Sequence, residues 1–164
     1  MRRKLTWFLG TVIVSAGAYA ATLLATPSSG FTGATLAVAR FDELDLHTHT
    51  VPAFWQSKLQ TKGLSDVYVQ SNVWTPGGST GWHTHPGPSL IIVTAGTVTA
   101  YDGDDPACTP TVYSQGMGLV DAGGGHVHIL RNESSIEART IAVQLIPAAA
   151  ARRIDAPAPG NCPF

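Results

Sequence analysis

The chain has 164 residues, 13% of them charged, and a formal charge of −1; its one basic run outside the first four residues is Arg152-Arg153. That balance excludes nucleic acid as a partner, because such binding needs a basic face. With 17 glycines, 11 prolines and no sustained helical period after residue 30, the length suits one β-rich domain with a single core.

Met1-Arg2-Arg3-Lys4 forms a positive start, an apolar stretch follows to about Ala18, and Ala18-Tyr19-Ala20 offers small residues where a signal peptidase reads. Residues 1–25 therefore read as a signal peptide or as an uncleaved N-terminal anchor. The stretch 5–25 is long enough to span a bilayer, but Thr6, Gly10, Thr11, Ser15 and Gly17 make it a weak span. In both cases the positive end stays in the cytoplasm and the domain is exported, to the periplasm or beyond. Membrane contact is expected only of the uncleaved form. Cleavage removes three positive charges and leaves the domain near −4.

Residues 26–34 read as a flexible linker, 35–147 as the folded domain and 148–164 as a short irregular tail. Short runs of Val, Ile, Thr and Tyr bounded by turn residues predict strands at 35–40, 44–50 and 56–61. A strongly alternating strand covers 66–74 and ends at the turn signal Thr75-Pro76-Gly77-Gly78. A short strand follows at 81–85. The strands 89–94 and 97–101 flank Ala95-Gly96, which reads as a tight hairpin. Strands at 111–113, 118–120, 126–131 and 138–146 complete the set, and 148–153 suits one helical turn. So many short strands predict an all-β, closed or sandwiched antiparallel barrel. Cys108 sits in the polar loop 102–110 and Cys162 near the C-terminus. In an exported chain the pair is either a disulfide that ties the tail to the domain or two unrelated thiols.

All six histidines fall in His-x-His pairs: His47/His49, His83/His85 and His126/His128. On a strand, residues i and i+2 share a face, so each pair presents two imidazoles side by side, half of a metal site. Gly77, His83, His85 and Gly96 reproduce the spacing Gly-x5-His-x-His-x3-Glu-x6-Gly, with Ser89 at the glutamate position. Gly125, His128 and Asn132 reproduce Gly-x2-His-x3-Asn, with Gly123 where a proline would stand.

Across residues 60–146 the chain thus resembles the cupin superfamily. The resemblance implies a jelly-roll-like barrel with a divalent transition metal (Fe, Mn, Zn, Cu or Ni) inside it, held by His83, His85 and His128. It also implies a small-molecule ligand or substrate, and often a homodimer. Cupins that use three histidines without the glutamate include thiol and diketone dioxygenases, so Ser89 does not exclude catalysis. An oxygenase-like or isomerase enzyme and a non-catalytic binding protein both remain open. Three roles are open to His126: a fourth ligand, a catalytic proton carrier, or a rim residue facing water. His47 and His49 read as a surface strand. Asn132 is expected to tie a strand end by its side chain. Trp55, Trp74 and Trp82 are expected to pack the barrel or its rim, with Trp82 pointing away from the metal. Gln70, Ile91 and Val93 are expected to face the interior.

Overall fold

The computed structural model describes residues 24–52 and 54–164, so the expected leader lies almost entirely outside the described residues. Twelve strands follow in order: β1 (Ser29–Phe41), β2 (Asp45–His49), β3 (Gln56–Gln60), β4 (Ser65–Ser79), β5 (His83–Thr84) and β6 (Ser89–Ala95). They continue with β7 (Thr97–Asp102), β8 (Thr111–Ser114), β9 (Gly118–Asp121), β10 (His128–Arg131), β11 (Ala138–Pro147) and β12 (Ile154–Asp155). Ten of them form one sheet in the order β12-β5-β10-β4-β11-β6-β9, with β1 also on β4, and β7 on β10 and β8. All pairings are antiparallel, and the sheet curls into a nearly closed all-β barrel. Among the described residues no helix is long and apolar enough to cross a membrane.

The strand pairings that build the site follow from alternation. The inward row Gln70–Ala142–Ile91–Leu119 crosses β4, β11, β6 and β9 in register, and all four side chains are buried. One step along the strands, the inward row Gln144–Ser89–Asp121 is polar and equally buried. The apolar core joins Trp74, Ile91, Val93, Val98, Leu119 and Leu130. Phe31 adds its ring to that of Trp74 at 4.9 Å. A second cluster of Trp82, Tyr101, Ile129 and Ala156 lies on the opposite face of β5, β7 and β10. The C-terminal tail covers it, and the Cys108–Cys162 disulfide packs against it.

Several expectations change. Residues 29–34, read as linker, are the start of β1, because they find partners on β4 from Ser71 to Ser79. β4 does not stop at Trp74. Gly77, with φ +76, bends the strand instead, and its N–H donates to Asn132 O at 2.9 Å. Gly78 must lack a Cβ because that atom would lie 2.4 Å from Gly30 O. The strand thereby passes from β1 and β11 to β10, where Arg131 pairs Ser79.

The expected hairpin at Ala95-Gly96 is a corner. β6 pairs with β11 and β9, whereas β7 pairs with β10 and β8. Gly96, at φ +67, turns against Glu137 O, where a Cβ would lie at 2.5 Å. Residues 148–153 form a turn rather than a helical one: Ala149 takes φ +61 and donates its N–H to Asp66 Oδ2 at 2.9 Å. The tail is mostly irregular, as expected, apart from β12. β2 and β3 pair only with each other, apart from the barrel sheet. Trp55, beside that hairpin, is exposed rather than packed, while Trp74 and Trp82 are buried.

Asn132 ties the strand end as expected. Its fully buried amide donates to Trp74 O, Thr75 O and Ile136 O at 3.2, 3.2 and 2.7 Å, and its Oδ1 accepts from Ser134. Asn132→Ala strands these carbonyls without a donor. We expect it to cost at least about 2 kcal/mol, read as a lower urea midpoint at unchanged m-value.

Candidate metal centre

His83 and His128 face each other in register across β5 and β10. His85 lies just past the end of β5, where the chain turns into Pro86-Gly87-Pro88. The three imidazoles are buried, and one ring nitrogen of each lies within 4.8 Å of the others. Ring centroids are 4.3 Å apart for His83 and His128, and 4.9 Å for His83 and His85.

Two tethers set the ring orientations. His83 Nδ1 lies 2.9 Å from Gly81 O, and His85 Nδ1 lies 2.6 Å from Arg152 O. A carbonyl can only accept, so each Nδ1 carries the proton and each Nε2 carries a lone pair, with Gln144 Nε2 lying 3.5 Å from that of His85. His128 Nδ1 is buried with no hydrogen-bond partner. This donor set fits a divalent transition metal: neutral imidazoles, oriented from outside, with lone pairs converging in a buried spot.

Burial is also the main reason the imidazoles resist protonation. It pushes His83 down to about 2, with help from the nearby charges of His128 and Arg153. It pushes His128 down to about 4 against the pull of Asp121, and it lowers His85 as well. These depressed values set a sign. The unfolded chain takes up protons near pH 6.5 that the folded chain refuses. Histidine-linked stability is therefore full above pH 6.5 and is lost as pH falls through the folded values of about 4 and 2. His126, raised above its ordinary value by its hydrogen bond to Asp102, opposes this trend alone against three. We expect the chelator-treated domain to melt at progressively lower temperature between pH 6.5 and 4, by up to about 1.4 kcal/mol per pH unit for each histidine. A flat melting profile over that interval would contradict the burial of these rings.

His126 is not on the strand. Gly123, Gly124 and Gly125 all take positive φ, so β10 begins only at His128 and the expected strand 126–131 loses its first two residues. Gly123 replaces the motif proline for a steric reason: a Cβ there would lie 2.3 Å from Gly87 O. His126 Nε2 lies 2.9 Å from Asp102 Oδ2, and its ring stacks at 5.9 Å on that of His128. It lines a cleft of about 330 Å³ together with Tyr101, Asp102, Asp121 and His128. On the other side of His128 the three imidazoles face a smaller interior cavity of about 50 Å³, lined also by Gln70, Gln144 and Arg152. Ile91 and Val93 are buried as expected, and Ile91 lines both spaces. Ser89 is buried, and its hydroxyl accepts from Gln144 Nε2 at 3.0 Å. His47 and His49 sit exposed on β2, away from the cluster.

Asp121 is the residue that the spacing of motifs does not reveal. It is buried at the end of β9, directly opposite Ser89. Its Oδ1 accepts from Gly123 N–H at 3.0 Å and lies 3.7 Å from the Nδ1 atoms of both His126 and His128. Its Oδ2 lies 3.9 Å from His85 Nε2 and has no hydrogen-bond partner. Only the pairing of β9 with β6 places it there.

The polyketide cyclase RemF from Streptomyces resistomycificus is similar in structure, with a TM-score of 0.51 at 15% identity over 87% of this chain and 84% of that one. A cupin superfamily protein from Desulfitobacterium hafniense aligns with a TM-score of 0.43 at 13% identity, over 68% of this chain and 79% of that one. An oxalate oxidase aligns with a TM-score of 0.43 at 19% identity, over 50% of this chain and 46% of that one, so this chain spans less than half its length. No protein-family model and no curated protein matches the chain. At 15% identity the likeness to RemF is one of architecture alone, and the nearly closed antiparallel barrel is consistent with the cupin jelly-roll fold.

Proposed function

We propose that this chain is an exported cupin-fold protein that holds one divalent transition metal on His83, His85 and His128. We further propose that it is an enzyme acting on a small molecule in the adjoining cleft, as a mononuclear metal oxygenase or isomerase does. The observation that carries the metal reading is the pair of carbonyl tethers, Gly81 O and Arg152 O, which hold two buried imidazoles by Nδ1 and leave Nε2 unprotonated. A bound metal supplies Lewis-acid or redox chemistry at that point. The cleft, with Tyr101, Asp102 and His126 on its wall, supports catalysis. Asp102 orients His126 so that it can take or return a proton beside a bound ligand. Arg152 and Gln144 line the inner cavity, and Arg152 Nη1 donates to Gln144 Oε1 at 3.0 Å.

The Cys108–Cys162 disulfide supports export, because such bonds persist in oxidising compartments. Leu90, Ile92, Val120 and Val143 leave an apolar outer sheet face, which supports a homodimer. A second reading, metal or small-ligand binding without turnover, draws on the inner cavity, whose volume of about 50 Å³ suits waters more than a substrate.

The deciding experiment is elemental analysis of protein purified without chelator or histidine tag, followed by oxygen uptake with a panel of small carbonyl and thiol compounds. One metal per chain with uptake supports the enzyme. One metal without turnover of any kind supports the binding protein. No metal, even after incubation with Fe, Mn, Zn, Cu and Ni, overturns both.

A further inference from the structure

We propose that Asp121 is the carboxylate ligand of this centre, its Oδ2 filling the role that a glutamate at position 89 would have. The inference rests on the three-histidine reading above. A buried carboxylate oxygen without a hydrogen bond is costly unless a positive charge faces it. Asp121 Oδ2 is such an atom. The group it faces is His85 Nε2, at 3.9 Å, the unprotonated nitrogen opposite the tether to Arg152 O, which Gln144 Nε2 also approaches at 3.5 Å. A divalent cation beside His85 Nε2 would supply that charge.

The backbone explains how the function moves between strands. Ser89 and Asp121 are direct partners across β6 and β9, and both side chains point inward. A carboxylate on either strand therefore reaches the same region from one cross-strand position. Ser89 is occupied otherwise, accepting from Gln144. By distance Asp121 groups with His126 and His128 rather than with His83 and His85, and His128 is common to both sets.

Asp121→Asn tests the proposal cleanly. Asparagine keeps an oxygen to accept from Gly123 N–H, so the turn into the glycine run survives. Wild type, Asp121→Asn and His128→Ala are titrated with Co²⁺ after chelation, with visible absorption recorded at saturation and melting temperature measured in chelator as a fold control. The expected result is that wild type takes one Co²⁺ and that Asp121→Asn binds it roughly 100-fold more weakly, at or beyond the limit for loss of an outer-sphere partner. Its visible spectrum at saturation also changes, which a merely orienting carboxylate would not cause. Affinity within threefold of wild type, or an unchanged spectrum, overturns the assignment of Asp121 while leaving the histidine site standing. Wild type that takes no Co²⁺ overturns both, and that titration alone tells the two failures apart.

Discussion

His128→Ala is expected to take the bound metal from about one equivalent per chain to background, without unfolding the domain. His128 is the hinge of the arrangement. It pairs His83 on one side and Asp102 on the other, and it stands between the interior cavity and the cleft. Removing it leaves only His83 and His85, two imidazoles from one short segment. The fold should tolerate the change because His128 Nδ1 is a buried atom without a partner, so its loss offsets part of the lost packing. In chelator the variant should therefore melt close to wild type. With metal at 100 times the dissociation constant, wild type should gain about 2.7 kcal/mol and the variant none. His126→Ala supplies the contrast. It should keep its metal, because His126 bonds Asp102 rather than joining the three-histidine set. His47→Ala should also keep it, since that side chain is exposed on the separate hairpin. Full metal content in His128→Ala would refute the site.

The double variant Cys108→Ser/Cys162→Ser should lose about 4 kcal/mol of stability, since the bond closes a long loop in the unfolded chain. The bonded residues are 54 apart in sequence. The loss extends to the site because the bond anchors the tail that passes over it. Between the anchor and the barrel, Asn161 Nδ2 donates to Asp102 O and Asp105 O at 2.8 and 2.6 Å. Ala156 N–H donates to Trp82 O at 3.0 Å, and β12 sets Asp155 beside His83. Arg152 O then orients His85 from the same segment. Detaching the tail should therefore weaken metal binding as well, by roughly the 10–100-fold typical of losing a group that orients a ligand. Urea melts of the oxidised, reduced and variant proteins, each with and without metal, separate the two effects. A loss below about 1 kcal/mol would mean that the tail's hydrogen bonds hold it without the disulfide.

The sequence by itself determined the all-β architecture and most strand positions, because alternation and turn chemistry act over a few residues. It also determined the three histidines, since their spacing to Gly77, Gly96, Gly125 and Asn132 is a local pattern. It could not show that 29–34 is a strand, because the partners of that segment lie on β4, about forty residues away. It could not show that Ala95-Gly96 turns a corner, because a hairpin and a corner share the same turn residues and differ only in which strands lie alongside. The position of His126 hung on three consecutive glycines, whose freedom to take positive φ is visible in sequence, whereas the close packing of the first of them, Gly123, against Gly87 is not. Asp121 was hidden most completely. Its place opposite Ser89 is a fact of strand register, and register is decided by burial across the whole barrel rather than by the residues on either side.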